Sequence, residues 1–217
     1  MASATCQVMR RMVLVILGLV AVAMNSGGCE ETPVSQTQKN INTFTLAQQK
    51  VTQGRRLVGD TLVSLNAYCA QPGLPAYTAF AQHAQATHRV SDELRDIGAV
   101  MTDQGTAFFA DWDREIAAMT NADLKKHTEA RKTSAQAAFG QIAAEVPAAR
   151  AVYDTFVADL NNLQTFFDYD KTATGVAAAS KLVARTRIDG AELERQLDLE
   201  SANLNQVKAT FVAMQRG

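Results

Sequence analysis

The residues able to do chemistry are few and scattered. There are three histidines, and a metal needs its ligands brought to one point. His83 and His88 are five residues apart, about 140° around a helix, so they do not clamp one ion as an i,i+4 pair does. His127 belongs to a different helix, and no metal or other cofactor is predicted. Asp111, Asp113 and Glu115 surround Trp112. Paired carboxylates do acid–base work only in a pocket that shifts one pKa. Here Asp111 and Glu115 lie one helical turn apart on a solvated face, and Trp112 reads as a core anchor. The run FFDYD, Phe166 to Asp170, gathers aromatics and carboxylates at the turn into the last helix. Phe167 falls on the apolar stripe, whereas Phe166 and Tyr169 reach a tip and offer a partner contact. The alternative is a turn packed by its own aromatics. Serine-nucleophile motifs, phosphate loops and zinc-protease signatures are absent, so no catalytic residue is assigned and the chain reads as non-enzymatic.

The cysteines point to location instead. Arg10 and Arg11 precede an apolar run, Met12 to Met24, which is followed by Asn25-Ser26-Gly27-Gly28 and then Cys29. A basic start, an apolar stretch of roughly 7–15 residues and small residues at its end describe a secretory signal over 1–28. The run is shorter than the roughly 20 residues that cross a bilayer. Cys29 behind small residues resembles the bacterial lipoprotein signal, which implies a diacylglycerol thioether at Cys29 and a membrane as first partner. Ser26, where such signals carry Leu or a similar apolar residue, departs from the pattern. The alternative is general cleavage, which leaves Cys29 an ordinary thiol on a soluble periplasmic or secreted protein. Cys6 leaves with the signal and Cys69 stands alone, so no internal disulfide is predicted.

Beyond a polar tether over 29–38, alternating steps of three and four place apolar residues on one helical face four times. The stripes run from Ile41 to Cys69, Tyr77 to Met119, Phe139 to Phe167, and Val176 to Met214. Gln48, Arg55 and Glu200 intrude on them as polar positions that set register or mark an edge open to a partner or a second copy. Gly98, Gly105 and Gly190 fall on packing faces. They admit a close neighbour or open a cavity for an apolar or haem-like molecule. Links are predicted at Gln71–Pro75, Met119–Asn121, with Thr120 as cap and Asp123 three residues on, and Asp168–Thr174. Pro147 sits inside the third helix and should bend it. Long helices joined by short links predict an all-α fold over 39–217: an elongated, antiparallel up-down-up-down bundle with coiled-coil packing. The net charge of −1 argues against a nucleic-acid partner, which favours a basic face.

The stretch from Phe108 to Ile142 carries a family resemblance. Phe108, Trp112, Glu115 and Ile116 close a helix, Thr120-Asn121 form a turn, and Leu124, Lys125 and Lys126 follow. This is similar to an uncharacterised family of bacterial secreted or lipoprotein-like coiled-coil proteins. The likeness extends from about Thr37 to Phe211. It implies a long-helix bundle in the cell envelope and imports no activity. The expected function is a lipid-anchored helical scaffold, spacer or partner-binding module. The alternative is a ligand-binding or sensing bundle that holds an apolar molecule.

Overall fold

Each of the first three apolar stripes becomes one helix, and the fourth is divided between two. The structure, a computed structural model, describes residues 33–216; the signal segment and Cys29 lie outside the described residues. The helices are α1 (Pro33–Ala70), α2 (Leu74–Ala118), α3 (Ala122–Tyr169), the short α4 (Ala173–Ala178) and α5 (Ser180–Arg216). A backbone bond from Val183 N to Ala179 O carries the helical line from α4 into α5. At 1.5 Å per residue the long helices run roughly 55 to 70 Å. Each packs on its neighbours in a ring, α1 on α2, α2 on α3, α3 on α5 and α5 on α1.

The boundaries correct three expectations. The bundle begins at Pro33 rather than Lys39, so Pro33 to Gln38 of the expected tether is helical. Proline suits a first helical turn, where its missing N–H would have no partner, and Thr37 is already buried. The α3 cap is Asn121, not Thr120: its side chain accepts from Asp123 N and Leu124 N, each at 3.0 Å. That single oxygen satisfies two of the amides a helix start leaves open. The last link is shorter than expected, because α3 continues to Tyr169 and α4 starts at Ala173. Pro147 is accommodated within α3.

The side-chain ties fix an antiparallel register along the whole length. From α1 to α2, Gln36 donates to Asp111, Thr43 to Gln104 at 2.8 Å, and Thr61 meets Thr87 at 2.9 Å. Lys50 pairs with Glu93 at 2.7 Å between them. From α1 to α5, Gln48 donates to Asn205, Arg55 pairs with Asp198, and Arg187 donates to Asn66 at 2.7 Å. Partner numbers fall on one helix as they rise on the other. Two of the polar stripe intrusions, Gln48 and Arg55, are therefore register ties.

This arrangement gives the bundle two ends of different character. Pro33, the Met119–Asn121 link and the end of α5 share the base, where Arg131 donates to the Met214 carbonyl at 2.6 Å. The α1–α2 and α3–α4 links share the tip, where the Tyr77 hydroxyl donates to Asp168 at 2.6 Å. Aromatic clusters close both ends. Toward the base, Phe44, Phe108 and Phe211 meet, with Phe109, Trp112 and Phe139 beside them. Toward the tip, Tyr68 lies edge-on to Phe167 at 4.8 Å between centroids, is parallel to Phe80 and tilts against Tyr77. Such ring pairs contribute about 0.5–1.5 kcal/mol each beyond the area they bury.

Candidate functional site: a waist cavity and an aromatic tip

Between the two aromatic ends the core residues are mostly aliphatic or small, with Tyr153 and Phe156 of α3 as buried rings among them. A cavity of about 480 Å³ lies in this waist and opens between α2 and α3. Its walls are aliphatic, formed by Leu94, Ile97 and Met101 from α2, Val146 from α3, and Leu197 and Leu204 from α5. Ala47 and Val51 of α1 form part of the floor. Pockets that hold small molecules are of this size and composition, with a few polar groups among apolar walls.

The three glycines divide. A Cβ on Gly98 would meet nothing within 4 Å, and Gly98 lines the cavity. A Cβ on Gly105 would collide with the Phe139 ring, and one on Gly190 would come within 2.9 Å of Leu62 and Phe156. Gly105 and Gly190 therefore open no cavity, because a neighbouring side chain already fills the space each leaves. Only Gly98 does what the second expectation required.

The polar groups at the waist are mostly committed. The Tyr153 hydroxyl donates to the Thr87 carbonyl at 3.3 Å, and its burial pushes the phenol well above its ordinary pKa. Arg95 bridges Asp92 at 2.8 Å and Asp154 at 3.0 Å, and Arg150 stands 3.8 Å from Asp154. Ser91 differs. It is 7 % exposed and lines the cavity, and its hydroxyl makes no hydrogen bond among the described residues.

The tip carries the residues singled out for partner contact. Tyr169 is 90 % exposed and Phe166 38 %, the latter leaning edge-on against Phe167 at 5.7 Å. Leu74, from the other tip link, is 67 % exposed. Beneath them the Tyr77 phenol is the main cause that holds the Asp168 carboxyl below the usual range, with Lys171 adding to it.

The remaining sequence candidates stay apart. His88 pairs with Asp92 at 3.2 Å, whereas His83 Nδ1 is buried without a hydrogen-bond partner. His127 is exposed at the base. Among the described residues no three His, Cys, Asp or Glu side chains come together to hold a metal. Asp111 is held below its ordinary range by Gln36 first and Arg114 second, while desolvation and Asp111 raise Glu115. Trp112 packs on the base cluster as an anchor. Cys69 is half-buried against the core, and burial raises its thiol pKa. No helix among the described residues is long and apolar enough to cross a membrane. Comparisons with protein-family models, with curated proteins and with solved structures return no match.

Two measurements check this geometry. Gly98→Ala should stabilise the bundle by about 1 kcal/mol, the helix-propensity difference. Gly105→Ala gains the same propensity but displaces a packed ring at about 1–3 kcal/mol, so it should be destabilised on balance. Urea unfolding of the two variants reads the opposite signs, and equal signs would refute the division. At the tip, the folded pKa of Asp168 lies below its unfolded value of about 3.9. Its contribution to stability is thus complete above that value and is lost as pH falls through the folded pKa. Tyr77→Phe should move the Asp168 midpoint upward in a carboxylate NMR titration, and an unchanged midpoint would remove the phenol as cause.

Proposed function

We propose that this chain is a non-enzymatic cell-envelope protein, tethered to a membrane through a lipid on Cys29. Its bundle is a stiff rod that holds a partner-binding tip away from that membrane. The observation that carries this reading is the polarity of the bundle. α1 starts at the base, and the exposed aromatics Phe166 and Tyr169 stand at the opposite end. Cys29 is four residues before Pro33, a reach of about 14 Å at full extension. A lipid there keeps the base near the membrane and lifts the tip by roughly the length of a helix, about 55 Å or more. The register ties and the aromatic clusters at both ends supply the stiffness that a spacer needs. The location and the module role agree with what the family resemblance implies. A second reading, a bundle that holds an apolar molecule, is favoured by the waist cavity.

Intact mass of the N-terminal peptide from the native membrane fraction tests the tether, and a diacylglycerol on Cys29 is the expected result. An unmodified terminus in the soluble fraction would end the tether reading. For the tip, a photo-crosslinking residue at position 169 should give discrete envelope adducts, and one at exposed Leu199 on the flank should not. Tyr169→Ser should abolish the partner contact while stability changes by no more than about 0.5 kcal/mol, as for other exposed positions. Equal adducts from flank and tip would end the tip reading.

A further inference from the structure

We infer that the waist cavity binds one uncharged, single-chain amphiphile of the fatty-alcohol or monoacylglycerol class, with its polar oxygen on the Ser91 hydroxyl. This rests on the second reading above and adds the chemistry of the ligand. Shape is the first argument. Along α2 the lining runs from Ser91 to Thr102, about 16 Å of helix, which suits a medium-length acyl chain laid along the rod. Wall chemistry is the second. Leu, Ile, Val, Met and Ala side chains face this space, and the one ring, Tyr153, has its hydroxyl engaged by Thr87. A single ring cannot sandwich a planar aromatic or haem-like molecule and the rest of the lining is largely aliphatic, so a flexible aliphatic chain fits better.

Ser91 supplies the polar anchor. Its oxygen has no protein partner among the described residues and, unlike the sealed Tyr68 hydroxyl and His83 Nδ1, is not closed off from solvent, so it is open to a ligand. Ser91 keeps its hydroxyl at a wall where Ala would pack as well. A ligand hydroxyl or ester carbonyl completes that bond. The charges then select an uncharged head. The charged residues that line the cavity are Arg95 and Asp96 from α2, Arg150 and Asp154 from α3, and Glu200 from α5, with none from α1. The two cations are both drawn to Asp154, and three carboxylates stand against them. A carboxylate or phosphate head would find no surplus positive charge and would have to displace Asp154.

Monolaurin and laurate, both below their micelle concentrations, are the probes, titrated against the purified chain by native mass spectrometry and thermal melting. One equivalent of monolaurin should bind and raise the Tm, and laurate should bind at least tenfold more weakly. Ser91→Ala should weaken monolaurin about threefold to tenfold, the worth of one hydrogen bond. Gly98→Leu fills the open space, so it should abolish binding while raising the Tm of the ligand-free chain. It also controls for uptake by the apolar run Met12 to Met24. If Gly98→Leu does not fold, Ala149→Leu from the facing helix serves the same purpose. Equal binding of laurate, or indifference to Ser91→Ala, would overturn the ligand class and leave the cavity reading standing. Failure of both chains to bind, or binding that survives both occluding variants, would overturn the cavity reading itself.

Discussion

The structure depends on a register that is locked twice. Four helices of this length could slide by a heptad and still bury apolar rows, because coiled-coil packing repeats. The aromatic clusters remove that freedom. Phe44, Phe108 and Phe211 must meet at one end while Tyr68, Phe80 and Phe167 meet at the other. A heptad slip would break both clusters at once. The polar ties between them, Thr61 to Thr87 and Arg55 to Asp198 among others, hold the same register along the middle.

The waist follows from that constraint. With both ends fixed by large rings, the distance between helices in the middle is set from outside, and the middle must fill whatever space results. On α1 it does so through a row one heptad apart, Asn40, Ala47, Gly54, Thr61 and Tyr68, which are all buried. A Cβ on Gly54 would sit 3.4 Å from both Val90 and the Tyr153 hydroxyl, so α1 is close-packed there. Between α2 and α3 the small residues Gly98, Ala99 and Ala149 leave the space unfilled. The cavity is the part of the waist that Tyr153 alone of the rings reaches.

The four apolar stripes and the places where the chain turns between them were legible in the sequence because periodicity is visible wherever the buried residues are large. The break at Ala179 between α4 and α5 was not. Phe44, Val51, Val58 and Leu65 announce themselves as one core row. Asn40, Ala47, Gly54 and Thr61 do not, since small and polar residues carry no apolar signal and are buried only because α2 lies against them. The cap was ambiguous for a similar reason: Thr120 and Asn121 are adjacent cap-forming types, and the backbone decides which is used. The tip residues were legible because Phe166 and Tyr169 fall off the stripe. The glycines were not, since whether a glycine leaves a void depends on the residue opposite. Phe139 faces Gly105, and nothing faces Gly98.

The most direct test of a rod with distinct ends is a long spin-label distance within one chain. Labels at Val63 near the tip and Leu124 at the base, both exposed, would be read by double electron–electron resonance with Cys6, Cys29 and Cys69 replaced by Ser. The register places them about 55 Å apart along the axis, and a single narrow distribution at about 55–60 Å is the expected result. A distance of about 40 Å or less, or several populations, would show that the helices do not keep one antiparallel register from end to end.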